Sequence, residues 1–215
     1  MEKKTDLAIR LALFAMGLVV MAFGIAIVIK VDIGVAPGSA IPYSISKLVP
    51  LTVGMCSSVF HVFCVLMQLI IARRPSLKLF LQFPIAYVFG FLLDFFLGFM
   101  VFELPGLPQR VLLLLAGLPV FSFGIRAVVG ADVLIVPTDG LARAMGEKFG
   151  WAMSKAKLIF DIIVTAAGVA LMLIFTGNAF LTVNIGTIIC AAGTGPFIGL
   201  FTKLFPALDK KNSSP

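Results

Sequence analysis

Apolar residues run almost unbroken through six stretches of the chain: Leu11–Ile29, Leu51–Ala72, Leu79–Phe102, Val111–Gly130, Trp151–Phe175 and Ala179–Phe201. A bilayer core of about 30 Å takes about 20 helical residues, so each stretch is long enough to cross it. The period-two alternation of a membrane barrel is absent. The pattern predicts an all-α membrane protein with six transmembrane helices, forming a single membrane domain over residues 1–215. The first stretch exceeds the roughly 7–15 apolar residues of a signal-peptide core, and no small-residue cleavage site follows it. It is expected to remain in the chain.

Two segments break the apolar pattern in the same way. "VDIGVAPGSA" (residues 31–40) follows the first stretch and "ADVLIVPTDG" (residues 131–140) follows the fourth. Beyond Pro37, Ile41, Ile45 and Leu48 fall on one helical face; beyond Pro137, Leu141, Met145 and Phe149 do so. Each reads as an amphipathic helix of about ten residues, some 15 Å long and half of what a crossing needs. Such a helix either re-enters the membrane beside a cavity or lies flat in the interface. Ser39 and Asp139 are candidate N-caps.

The two breaks belong to an internal repeat. At an offset of 100 residues, Gly17–Pro37 aligns with Gly117–Pro137 without a gap, and nine of the 21 positions are identical. The matches include Gly17/Gly117, Gly24/Gly124, Asp32/Asp132 and Pro37/Pro137; Arg10/Arg110 and Phe60/Phe160 keep the same register. Repeat one covers about residues 10–102 and repeat two about residues 110–204. Three spans per repeat is odd, so the second half is expected to enter from the opposite side as a 3+3 inverted-topology repeat, each half carrying a broken or re-entrant amphipathic helix. The paired glycines predict close helix packing, as do Gly193, Gly195 and Gly199 in the last stretch.

Composition agrees, with 60% hydrophobic and 13% charged residues. With the amino terminus in the cytoplasm, thirteen Lys and Arg fall inside, Arg74, Lys157, Lys210 and Lys211 among them, against Lys30, Lys47 and Arg110 outside. This positive-inside bias places both termini in the cytoplasm and accounts for the net charge of +7. A nucleic-acid partner is not expected, because the charges are scattered over short loops. Cys56, Cys64 and Cys190 lie in predicted spans at no metal-binding spacing and are expected to pack. The absence of Walker, zinc-protease and hydrolase motifs argues against an enzyme, and no cofactor or metal is expected.

Polar residues inside a span mark functional candidates, since each is costly there unless paired or hydrated. Half-helix amino termini suit a solute carboxylate, so Pro37, Gly38, Ser39, Pro137, Thr138, Asp139 and Gly140 are candidate substrate-binding residues, with Arg126 and Asn184. Asp32, Asp132, Asp161 and His61 are candidates for coupling a proton or sodium ion; His61 and Asp161 are repeat-equivalent. Two alternatives stay open here. Asp32 and Asp132 also suit helix-end caps in water, and His61 a packing role. Arg126 has the option of snorkelling to the interface. Gln68, Asp94 and Thr187 complete the polar lining.

The stretches "KVDIGVAPGSAIPYSISKLVPLTVG", "KAKLIFDI" and "NIGTIICAAGTGPFIG" resemble the YczE/YyaS/YitT family of bacterial integral membrane proteins. The resemblance spans about Leu11 to Leu204 and implies a six-helix protein of the bacterial inner membrane. The function expected from the repeat, the breaks and the embedded charges is ion-coupled secondary transport of a small polar or anionic solute, with the site between the repeats. The alternative is a non-transporting scaffold or a scramblase-like lipid-handling protein. Partners are the lipid bilayer and the solute, with homo-oligomerisation left open.

Overall fold

A computed structural model describes residues 2–73 and 75–206; Arg74, Lys210 and Lys211 lie outside the described residues. The chain runs through α1 (Glu2–Lys30), α2 (Ala40–Leu48), α3 (Val53–Ala72), α4 (Leu77–Phe80), α5 (Gln82–Phe99), α6 (Leu107–Ala131), α7 (Pro137–Phe149), α8 (Met153–Thr176) and α9 (Ile185–Leu204). Six segments are long and apolar enough to cross a membrane: Leu7–Lys30, Val53–Ala72, Leu77–Phe99, Leu107–Ala131, Met153–Thr176 and Ile185–Leu204. No strand occurs among the described residues.

Helix ends follow local chemistry. Thr52 and Ser76 accept amide hydrogens at the starts of α3 and α4, and Gly150 and Gly177 close α7 and α8 in the left-handed region. Several boundaries differ from the sequence pattern; the first and fourth spans begin four residues earlier, at Leu7 and Leu107. The third span ends at Phe99, and the sixth begins at Ile185, because Asn178 and Asn184 each turn a side-chain oxygen onto a nearby amide and stop a continuous helix between them.

At the centre, α1 and α6 run antiparallel, from Arg10 beside Ala131 at one end to Asp32 beside Arg110 at the other. A Cβ on Gly24 would collide with the Phe121 backbone, and one on Gly124 with the Met21 backbone, so these helices meet more closely than larger residues allow. The ends are clasped. Arg10 donates to the Ala131 carbonyl at 2.8 Å and to Asp132, while Arg110 donates to the Asp32 carbonyl at 3.2 Å. Around this pair, α5 packs on α1 and α3, α9 on α6, and α8 on α2 and α7. The expected packing at Gly195 and Gly199 is not made within the chain, since both face open space; Gly193 does pack, against Leu118.

Both breaks begin at a left-handed aspartate, Asp32 at φ 52° and Asp132 at φ 48°, which ends the preceding helix. The chain then runs extended to a proline, and each proline lies between long helices. Thr165, the thirteenth of the 24 residues of α8, donates to the Pro37 carbonyl at 3.5 Å. Gln68 on α3 donates to the Pro137 carbonyl at 3.0 Å. Pro37 therefore stands opposite the middle of a long helix instead of at one end of the bundle. The expected N-caps are not formed: neither the Ser39 nor the Asp139 side chain accepts a capping bond, because α7 already starts at Pro137 and the Asp139 carboxylate is drawn to a cation.

Candidate functional site

Lys157, one turn into α8, is the centre of the site. Its Nζ lies 3.0 Å from Oδ1 of Asp139, in the first turn of α7, and 3.1 Å from Oδ1 of Asp161, one turn further along α8. The same ammonium sits 5.3 Å from the centre of the Phe160 ring. The first break reaches this cluster too, for a Cβ on Gly38 would stand 3.5 Å from Asp161 Oδ1 and 3.8 Å from Lys157 Nζ. Both chain breaks thus converge on one ion-pair group. The three charged side chains are between 20% and 35% exposed, so water screens them only partly and their attraction exceeds that of a surface pair.

From α3, His61 closes the site. Its side chain is buried against Phe89, lies within electrostatic reach of Asp139 and Lys157, and keeps Nδ1 without a hydrogen-bond partner. The repeat register equates Ser39 with Asp139, Ser57 with Lys157 and His61 with Asp161. In that register the charged members of the group all fall in the second half of the chain.

Beside the cluster, Gln68 and Gln82 exchange amide hydrogen bonds at 2.9 and 3.2 Å while Gln68 also holds the Pro137 carbonyl. Gly140 permits this approach, since a Cβ there would strike the Gln68 amide. Gln68→Leu is expected to cost about 2 kcal/mol by leaving the buried Gln82 amide without its partner. Gln68→Leu with Gln82→Leu should recover part of the loss. Thermal unfolding in detergent reads both.

A cleft of about 540 Å³ leads to the site from the end of the bundle that carries Arg10, lined by Gln82, Val133, Ile135, Asp139, Arg143 and Glu147 among others. On the other side of the cluster, the first break and α2 are hydrogen-bonded to α8 and the start of α9. Thr187 Oγ1 accepts from the Val35 amide at 3.1 Å, the Gly186 amide donates to Ile33 at 2.8 Å, and Ser44 bonds both the Gly168 carbonyl and Thr182. Gly34, at φ 117°, lies so close to Thr187 that no Cβ would fit. A second cleft, of about 690 Å³, lies at the end carrying Arg110, next to Asp32 and Tyr43.

The candidates from sequence divide accordingly. Gly38, Asp139, Asp161 and His61 come together, with Pro37, Ser39, Pro137, Thr138 and Gly140 on the breaks beside them. Asp32 and Asp132 do not. Both are exposed at helix ends, Asp132 paired with Arg10 at 3.2 Å, and Asp32 held by Tyr43 at 2.7 Å with Lys47 and Arg110 beyond. Burial, and then the carboxylate of Asp32, raise the Tyr43 hydroxyl above the usual tyrosine range, so it remains a donor. Asn184 caps α9, and Asp94 accepts from Thr52 and Gly54 at the start of α3. Arg126 does not snorkel; it is 2% exposed within α6. The cation missed in sequence is Lys157, counted there as a loop charge. Its spacing of four from Asp161 within an apolar helix was the signal that could have found it.

Six long apolar helices around a half-buried ionic cluster define a multi-pass membrane protein. A family model described as "Family of unknown function (DUF6198)" matches residues 8–203, and the chain belongs to this family. It is 27% identical over 150 residues to "Uncharacterized membrane protein YczE" of Bacillus subtilis (strain 168), a match covering 69% of this chain and 68% of that one. No solved structure matches.

Proposed function

We propose that this protein is an ion-coupled secondary transporter of a small polar or anionic solute, built as a 3+3 inverted-topology repeat in the bacterial inner membrane with both termini cytoplasmic. The observation that carries the reading is the meeting of both breaks at the Asp139–Lys157–Asp161 group, at the end of a cleft open from one side. Transporters of this architecture bind at the junction of repeats, where interrupted helices expose amides and charges. The reciprocal contacts of α1 and α6 support the inverted arrangement: Arg10 with Asp132 against Arg110 with Asp32, and Gly24 under Phe121 against Gly124 under Met21. In this reading Asp139, Asp161 and His61 handle solute and coupling ion, while Asp32 and Asp132 clasp helix ends. The decisive experiment is flux of a solute bound by the purified protein into proteoliposomes under imposed proton and sodium gradients. Absence of flux under every gradient would count for the scaffold or lipid-handling alternative.

One-sided access is testable before any solute is known. In a background lacking Cys56, Cys64 and Cys190, Ile135→Cys should react readily with a membrane-impermeant thiol reagent, because Ile135 lines the open cleft. Val35→Cys, 1% exposed behind Thr187, should react at least about tenfold more slowly, since its labelling requires the closed side to open. Equal labelling would contradict one-sided access.

A further inference from the structure

We infer that the solute is a zwitterion that carries an ammonium and a carboxylate close together, as an α-amino acid does. The inference rests on the transport site proposed above and on the charge balance within it. Two carboxylates, Asp139 and Asp161, share one ammonium, Lys157, at 3.0 and 3.1 Å. Asp139 also lies in the first turn of α7, and Gly38, which leads into α2, stands by Asp161. A helix amino terminus contributes up to about half a positive charge, so the group is close to neutral as it stands.

A ligand entering such a group must break ion pairs and leave no partner bare, because an uncompensated charge in this partly dry setting is costly. A lone anion would take Lys157 and strand a carboxylate; a lone cation would take one carboxylate, leave Lys157 on the other and add a charge to a group already close to neutral. A zwitterion satisfies both at once. Its carboxylate replaces Asp139 on Lys157, its ammonium takes the released Asp139 or Asp161, and the net charge is unchanged. His61, 6% exposed and within electrostatic reach of Asp139 and Lys157, keeps its Nδ1 unpartnered beside this group. The cleft of about 540 Å³ is large enough to admit a molecule of this size.

The test is binding by the purified, detergent-solubilised chain, followed by thermal shift and calorimetry, with the common α-amino acids and, for each, the amine lacking the carboxylate and the acid lacking the amine. At least one amino acid should bind saturably, and its amine and acid analogues should bind more than about tenfold more weakly. Lys157→Gln should abolish binding. If that variant does not fold, Lys157→Gln with Asp139→Asn restores the charge balance, and it too should fold without binding. The inference is overturned if no amino acid binds, if either single-charge analogue binds as well as its parent, or if the doubly substituted protein still binds. Saturable zwitterion binding without flux in proteoliposomes would keep this inference and sink the transport reading. Flux of a solute bearing one kind of charge would do the reverse.

Discussion

Lys157→Gln is expected to destabilise the protein by about 2–3 kcal/mol and to abolish solute uptake. Removing the ammonium leaves Asp139 and Asp161 facing one another without a counter-charge. Breaking a fully buried pair costs about 3–5 kcal/mol, and the partial exposure of all three side chains lowers that figure. Two remedies separate stability from function. Asp139→Asn on the Lys157→Gln background should recover part of the melting temperature while uptake stays absent, since it removes the repulsion between two carboxylates but offers no cation to the solute. Lys157→Arg should fold, yet transport poorly, because a planar guanidinium does not reproduce the compact ammonium between two carboxylates. Recovery of uptake in the doubly substituted variant would remove Lys157 from the mechanism.

Gly24→Leu and Gly124→Leu should each cost about 3 kcal/mol or prevent folding, read as detergent thermal unfolding or as loss of monodisperse protein. At both positions a Cβ would overlap backbone, of Phe121 or of Met21, and neither α1 nor α6 can shift without disturbing the clasps at Arg10 and Arg110. Gly195→Leu is the control. Its Cβ would enter open space, so within an isolated chain it should change stability by less than about 0.5 kcal/mol apart from helix propensity. A large loss there would mean that another surface covers α9.

The candidate site was legible in part, and the pattern of success has a physical cause. The breaks were visible because glycine, proline and a left-handed aspartate interrupt an apolar helix at equivalent places in both repeats. Asp161 and His61 stood out because polar groups in a span are costly. Lys157 was hidden by its position one turn from a helix start, where a loop cation and a buried one look alike in sequence. Asp32 and Asp132 misled for the converse reason: repeat symmetry marked them as special, which they are, but as helix stops clasped by Arg110 and Arg10.

By itself the sequence determined the six apolar helices, the hundred-residue repeat and the glycines at the centre, since membrane length, register and small-residue spacing are properties of the chain alone. The tertiary structure alone decided whether the short helices lie along a surface or run between long ones, which charges meet, and which segments bond the first break. These depend on distances between segments far apart in sequence: Pro37 against Thr165, Asp139 against Lys157, Val35 against Thr187. The charged members of the ionic cluster all come from the second half of the chain, and the first break is bonded to α9 through Val35 and Thr187.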